Sequence, residues 1–128
     1  MAQHGAFVWN ELHTGDTAKA KEFYTALLGW NAKEAAADDS MQYTEFENDG
    51  VSIGGMADMA GAENLGASPH WMPYIAVDDV DASAARAREL GAELKIPPMG
   101  IPKVGRFCVI ADPLGAVAGL ITLAEPIK

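Results

Sequence analysis

A glutamate and a histidine two residues apart, beside a tryptophan, are the first residues of this chain whose types and spacing suit chemistry. They lie in FVWNELHTGD, residues 7 to 16. Read as a β-strand, its alternation puts Phe7, Trp9, Glu11 and His13 on one face and Val8, Asn10, Leu12 and Thr14 on the other. On such a face Glu11 could act as a general base or as the partner of a cationic ligand, with His13 assisting. The same pair with His70 offers imidazole and carboxylate ligands for a relocated zinc or iron site. A third reading makes the stretch the wall of a ligand pocket.

Other residues of this kind are scattered. Trp9, Trp71, Met41, Tyr43, Met72, Tyr74 and Phe107 form an aromatic and thioether set that can line a cavity for a planar or apolar ligand. Alternation turns Met72 and Tyr74 to the face away from Pro73, Ile75 and Val77. Arg106, where GRF enters a strand, can bind an anionic group or close a surface salt bridge. Cys108 stands in a buried type of strand and reads as an inert core thiol.

The elements that must position these residues follow a simple plan. GDTAKAKEFYTALLGW predicts a helix capped by Asp16 or Thr17, with Ala20, Phe23, Tyr24, Leu27 and Leu28 as its buried stripe and Gly29 as its end. A short strand near NAKEAA, then MQYTEFE, a turn at Asn48 to Gly50 and VSIGGM predict an antiparallel meander. Residues 58–69 are small, polar and Gly-rich and read as a linker. The plan then repeats. HWMPYIAV is a strand; the next helix is capped by Asp81, has Val80, Ala84, Ala87 and Leu90 as its apolar stripe, and ends at Gly91. AELKI, a Pro-rich loop PPMGIP, GRFCVIA, a type I turn at DPLG and AVAGLITL complete it. Each half is thus βαβββ, an internal repeat.

With 128 residues, the chain is long enough to bury a core as one domain, composed of a module 1–60 and a module 70–128. Nine basic against 18 acidic residues give a net charge of −9. That charge disfavours nucleic acid and anionic membranes; it can steer a cationic ligand or simply keep the protein dissolved. The single cysteine allows no internal disulfide, no apolar run is long enough for a bilayer, and MAQHGAFVW lacks a signal-peptide pattern. Together these predict a cytoplasmic protein.

Three segments, HTGDTAKAKEFYTALLGW, YIAVDDVDASAARARELGAEL and GRFCVIADPLGAVAGLITL, resemble the vicinal oxygen chelate superfamily of glyoxalase I, extradiol dioxygenases and bleomycin-resistance proteins. The resemblance covers nearly the whole chain. It implies an α+β fold of two tandem βαβββ modules forming a cup-shaped mixed sheet with helices outside. It also implies four metal ligands, a His, Glu or Gln on the first strand of each module and a Glu on each last strand. Those positions fall on Trp9, Met72, Gly54 or Gly55, and Gly119, and a one-residue slip in the second module gives Trp71 and Ala118 or Leu120 instead. None is a metal ligand in that role.

The expectation is a metal-free protein with no cofactor that binds a small organic molecule, cationic or aromatic, in the cup between modules. Its ligand residues are Trp9, Glu11, Tyr43, Met72, Tyr74 and Arg106. Glycines at 54, 55 and 119 would widen the space for a bulky ligand. The alternative is an enzyme of lyase, isomerase or dioxygenase type with a displaced divalent metal or a Glu11 base, in which Glu11 and His13 are catalytic. Open sheet edges point to a homodimer.

Overall fold

The computed structural model describes residues 3–34, 43–58, 69–101 and 104–124. Met41 and most of the expected linker fall outside these residues. The order is β1 (Phe7–Thr14), α1 (Thr17–Leu28), β2 (Asn31–Glu34), β3 (Tyr43–Asn48), β4 (Val51–Asp58), β5 (His70–Ala76), α2 (Val80–Glu89), β6 (Glu93–Ile101), β7 (Gly105–Ala111) and β8 (Val117–Leu123). The repeated βαβββ plan is therefore present. The chain divides into two compact units, Trp9–Trp71 and Met72–Lys128 together with Met1–Val8. The first eight residues join the second unit because the backbone there bonds to β5: Gly5 N–H donates to the Ala76 carbonyl at 2.7 Å and Ala76 N–H to that of Ala6 at 2.8 Å.

In the Trp9–Trp71 unit, β2, β3 and β4 form an antiparallel meander and β4 lies parallel to β1. Asp49 (φ 52°) and Gly50 (φ 81°) close the β3–β4 hairpin, which needs left-handed backbone at both turn residues. Leu12, Phe46 and Met56 form the buried core beneath α1, joined by Ala20 and Tyr24 of the helix and by Trp30, Ala32 and Ile53. Asp16 caps α1 by accepting from the Lys19 N–H at 3.0 Å, and Gly29 ends it at φ 74°. The expected apolar stripe is only partly used, since Phe23, Leu27 and Leu28 stay exposed. Helical periodicity tells which residues share a side, but not how far the neighbouring sheet extends beneath them.

In the second unit β5 pairs parallel with β8, and β8, β7 and β6 run antiparallel. Val80, Ala84, Cys108 and Leu120 are the core under α2, with Ile75, Val77, Leu94 and Ile110 packed against it. Burial raises the Cys108 thiol, with the Asp81 charge adding to it. The cap is Asp79, which accepts from Ala82 N–H at 3.1 Å, rather than Asp81, and Leu90 is exposed. The expected Pro-rich loop is also corrected: β6 continues through Pro97, Pro98 and Met99. It stands at the end of the strand order and shifts register between Leu94 and Ile96 and between Ile96 and Met99, so prolines that cannot donate to a ladder are tolerated there. The DPLG turn is as expected, with Gly115 N–H donating to the Asp112 carbonyl at 2.8 Å. Asp112 Oδ1 also accepts from Ala116 and Leu114, bonds that lower its carboxyl pKa.

The strand glycines have a different use from the one expected. Gly119 is the register partner of Tyr74, and a Cβ there would collide with the Tyr74 ring. A Cβ on Gly55 would collide with the Tyr43 phenol. In both units the space left by a glycine is filled by a tyrosine of the same unit. Gly119→Ala should therefore cost about 1–3 kcal/mol, as overpacking does. In urea unfolding, adding Tyr74→Leu should cost less than the sum of the two single changes; additive losses would contradict the steric coupling.

Candidate functional site

Strand alternation builds the site in the Trp9–Trp71 unit. Leu12 and Thr14 of β1 are buried on the α1 side. Trp9, Glu11 and His13 consequently share the other face, each half-buried. On β3, Thr44 and Phe46 are buried, which turns Tyr43 to the face of Trp9 and Glu11. The pairing Glu11↔Gly55 then sets a residue without a side chain next to the carboxylate, and the phenol of Tyr43 lies across it.

The result is a line of hydrogen bonds along one sheet face. Trp9 Nε1–H donates to Tyr43 Oη at 2.8 Å. The Tyr43 hydroxyl is hydrogen-bonded to Glu11, and His13 Nε2 lies 2.7 Å from Glu11 Oε1. The His13 and Glu11 side chains are 15% and 13% exposed, so the pair is shielded yet reachable. The His70 ring packs edge-on against His13, with centroids 5.1 Å apart.

Proton positions follow from these bonds. Trp9 can only donate, so it occupies a lone pair of the phenol oxygen and leaves the phenolic hydrogen for Glu11. An ionised Glu11 only accepts, so its bond with His13 calls for a hydrogen on His13 Nε2. The Glu11 carboxyl is thus held between a phenol and an imidazole. To take a proton from a substrate it would have to release one of them.

The remaining expected site residues belong to the second unit. Met72 and Tyr74 are in the second unit, on the face of β5 opposite Ile75 and Val77, and are 1% and 6% exposed. The Tyr74 ring packs against Phe107 at 6.3 Å. Arg106 does not join Phe107, because neighbouring strand residues point to opposite sides. It shares the α2 side with Cys108 and Ile110 and forks onto Asp81, with Nε to Oδ2 at 2.7 Å and Nη2 to Oδ1 at 2.9 Å. The guanidinium holds the Asp81 carboxyl below its ordinary range. Of the two readings of Arg106, the surface salt bridge is the contact present.

The positions at which the superfamily's metal ligands are expected do not fit a metal ion. Trp9 offers an N–H and no lone pair, Gly55 lies under the Tyr43 phenol, Gly119 under the Tyr74 ring, and Met72 presents a buried thioether. For the relocated set, His13 Nε2 is engaged with Glu11, and no group of three His, Cys, Asp or Glu side chains among the described residues is arranged to hold an ion.

The link from Trp9 through Tyr43 to Glu11 was not anticipated, and its one trace in the sequence was a glycine, Gly55, interrupting a strand. Burial first, then the Glu11 charge and hydrogen bond, raise the Tyr43 phenol well above its ordinary 10.0, against a lowering by Trp9. An acid with a raised folded-state pKa stays protonated in the fold while its unfolded counterpart ionises, so stability should fall as pH rises past that ordinary value. Glu11→Gln should bring the phenol back toward ordinary behaviour. Difference absorbance titrations of wild type, Glu11→Gln and Tyr43→Phe read this directly. A Tyr43 that ionises at its ordinary pH in the folded wild type would contradict the network.

Comparison with known proteins agrees with this fold. Residues 6–118 match the model of the Glyoxalase/Bleomycin resistance protein/Dioxygenase superfamily. CFP32 of Mycobacterium tuberculosis, provisionally named a glyoxylase, is 35% identical over 119 residues, 91% of this chain and 44% of its own length. The anthracycline biosynthesis protein DnrV of Streptomyces peucetius is 33% identical over 123 residues, covering 88% of this chain and 45% of its own. The chain thus spans less than half the length of these curated relatives. Among solved structures, a methylmalonyl-CoA epimerase of Streptomyces coelicolor superposes with a TM-score of 0.65 at 17% identity, covering 96% of this chain and 100% of the other, a likeness of fold. By the family match over most of its length and by its relatives, the chain belongs to the glyoxalase, bleomycin resistance protein and dioxygenase superfamily.

Proposed function

We propose that this protein binds a small organic molecule of aromatic and cationic character on the Trp9, Tyr43, Glu11 and His13 face, without a metal at the superfamily's usual positions. The observation that carries this reading is Glu11: a carboxylate 13% exposed, bonded to His13 and Tyr43 and adjoining the indole of Trp9. An anion beside an aromatic wall suits a flat molecule with a positive group. The net charge of −9 favours the approach of such a ligand. The name of DnrV, which places that relative in the biosynthesis of anthracyclines, supports a polycyclic aromatic ligand.

Isothermal titration with an anthracycline bearing an amino sugar, and with its uncharged aglycone, tests the reading. The cationic form should bind more tightly. Glu11→Gln should weaken that form by roughly tenfold or more, the scale of a hydrogen bond to a charged group, and leave the aglycone little changed. Equal affinity of wild type and Glu11→Gln for the cationic form would overturn it.

The 2.7 Å contact of Glu11 with His13 favours a second reading, an acid–base enzyme of lyase, isomerase or dioxygenase type. Chromatography with mass detection, together with a proton spectrum of the recovered ligand to reveal an isomer of equal mass, separates the two. Conversion by wild type and not by Glu11→Gln would establish an enzyme, whereas unchanged ligand supports a binding protein.

The reading includes a homodimer. The matched relatives are more than twice as long as the segment they share with this chain, and two copies would supply a comparable length of polypeptide. Phe23 and Leu27 of α1, 56% and 62% exposed, are apolar surface available to a second copy. Sedimentation velocity should give the mass of two chains; a single-chain mass at every concentration would exclude it. A cytoplasmic site fits the single buried thiol of Cys108, suited to a reducing compartment. Among the described residues no helix is long and apolar enough to cross a membrane.

A further inference from the structure

The opposite side of β1 carries a second feature that the Glu11 face does not use. Asn10 is turned away from Trp9 and Glu11 by alternation and is exposed. It opens on a cavity of about 330 Å³ lined by Asn10, Trp30, Phe46, Ile53, Gly54 and Trp71. All six belong to the Trp9–Trp71 unit.

The walls are held in place before any ligand arrives. Trp71 Nε1–H donates to Tyr24 Oη at 3.1 Å, and the Tyr24 ring stacks on Trp30 at 5.9 Å with planes 16° apart. Trp30 packs on the fully buried Phe46 at 5.2 Å. The two indoles stand 89° apart, so a flat molecule can meet one by its face and the other by its edge. The floor includes bare backbone: a Cβ on Gly54 would come within 2.6 Å of the Asn10 carbonyl.

The lining selects a chemical class. Among the described residues the lining contains no ionised side chain that would neutralise a carboxylate or a phosphate, and the net charge of −9 opposes anions. Besides the two indole N–H groups, the polar side chain among the described lining residues is the Asn10 amide, which offers both a donor and an acceptor. A volume at the small end of ligand sites admits one or two rings.

We infer that this pocket is a second binding site, separate from the Glu11 face, for a small uncharged heteroaromatic molecule that lies against Trp30 and Trp71 and hydrogen-bonds to Asn10. The site does not depend on what the Glu11 face binds. Trp9 stands on that other face and serves as an internal control.

The test is a titration of the full chain with quinoline and with adenine, following the indole N–H resonances of Trp9, Trp30 and Trp71 in a nitrogen–proton correlation spectrum. Caprolactam, uncharged and with an amide donor and acceptor but no aromatic face, is the control. The expected result is saturable shifts of Trp30 and Trp71 with the two aromatic probes, little change at Trp9 and none with the control. Asn10→Leu should weaken binding by roughly tenfold, one hydrogen bond, with the dispersion of the spectrum unchanged. Trp71→Phe should weaken it further than Asn10→Leu weakens quinoline alone. Shifts led by Trp9, or no saturation up to the solubility limit, would overturn the inference. So would Trp30 and Trp71 shifts that follow protein concentration without any probe, which would assign the pocket to a contact between copies.

Discussion

Gly55 has no side chain, and the phenol of Tyr43 occupies the room this leaves. From there its oxygen accepts the Trp9 indole and its hydrogen meets Glu11. A Cβ at that position would push the ring away, and the carboxylate would lose a neutral donor in a shielded place. A half-buried carboxylate needs hydrogen bonds, so the glycine shapes the polar contacts of the face as well as its packing. The second unit repeats the packing with Gly119 and Tyr74, whose ring lies against Phe107.

The two sides of β1 have opposite characters for one reason, the period of two along a strand. Leu12 goes into the core under α1, while Glu11 and His13 go to the face with Trp9 and Tyr43. Asn10 and Trp71 meet on the α1 side beside Trp30, and His70 meets His13 on the other. Adjacent residues therefore serve a charged, hydrogen-bonded face and an uncharged aromatic pocket. The net charge of −9 surrounds both.

The acidic residues near the helix starts illustrate how similar residues are given different work. Asp16 and Asp79 cap α1 and α2 by accepting backbone N–H groups. Asp81, two residues past its cap, instead takes both arms of the Arg106 guanidinium. The pair is exposed, so it fixes a local geometry more than it stabilises the fold.

Much of this was legible in the chain alone. Alternation, the Asp and Gly brackets of the two helices, the Asn48 to Gly50 turn and the repeated βαβββ order depend on neighbours a few residues apart, and local sequence carries such information. It also placed Trp9, Glu11 and His13 on one face, since that requires only a strand. What the sequence could not supply was register and reach. That Gly55 stands opposite Glu11, that Tyr43 and Tyr74 fill glycine gaps, that Arg106 turns to Asp81, and that β6 runs on through its prolines are consequences of which strands lie side by side. Likewise, Leu27 and Leu90 have the periodicity of buried residues and are exposed, because burial depends on the extent of the surface a helix meets. Local periods determine the side on which a residue lies, and only the tertiary pairing of distant strands decides what waits for it there.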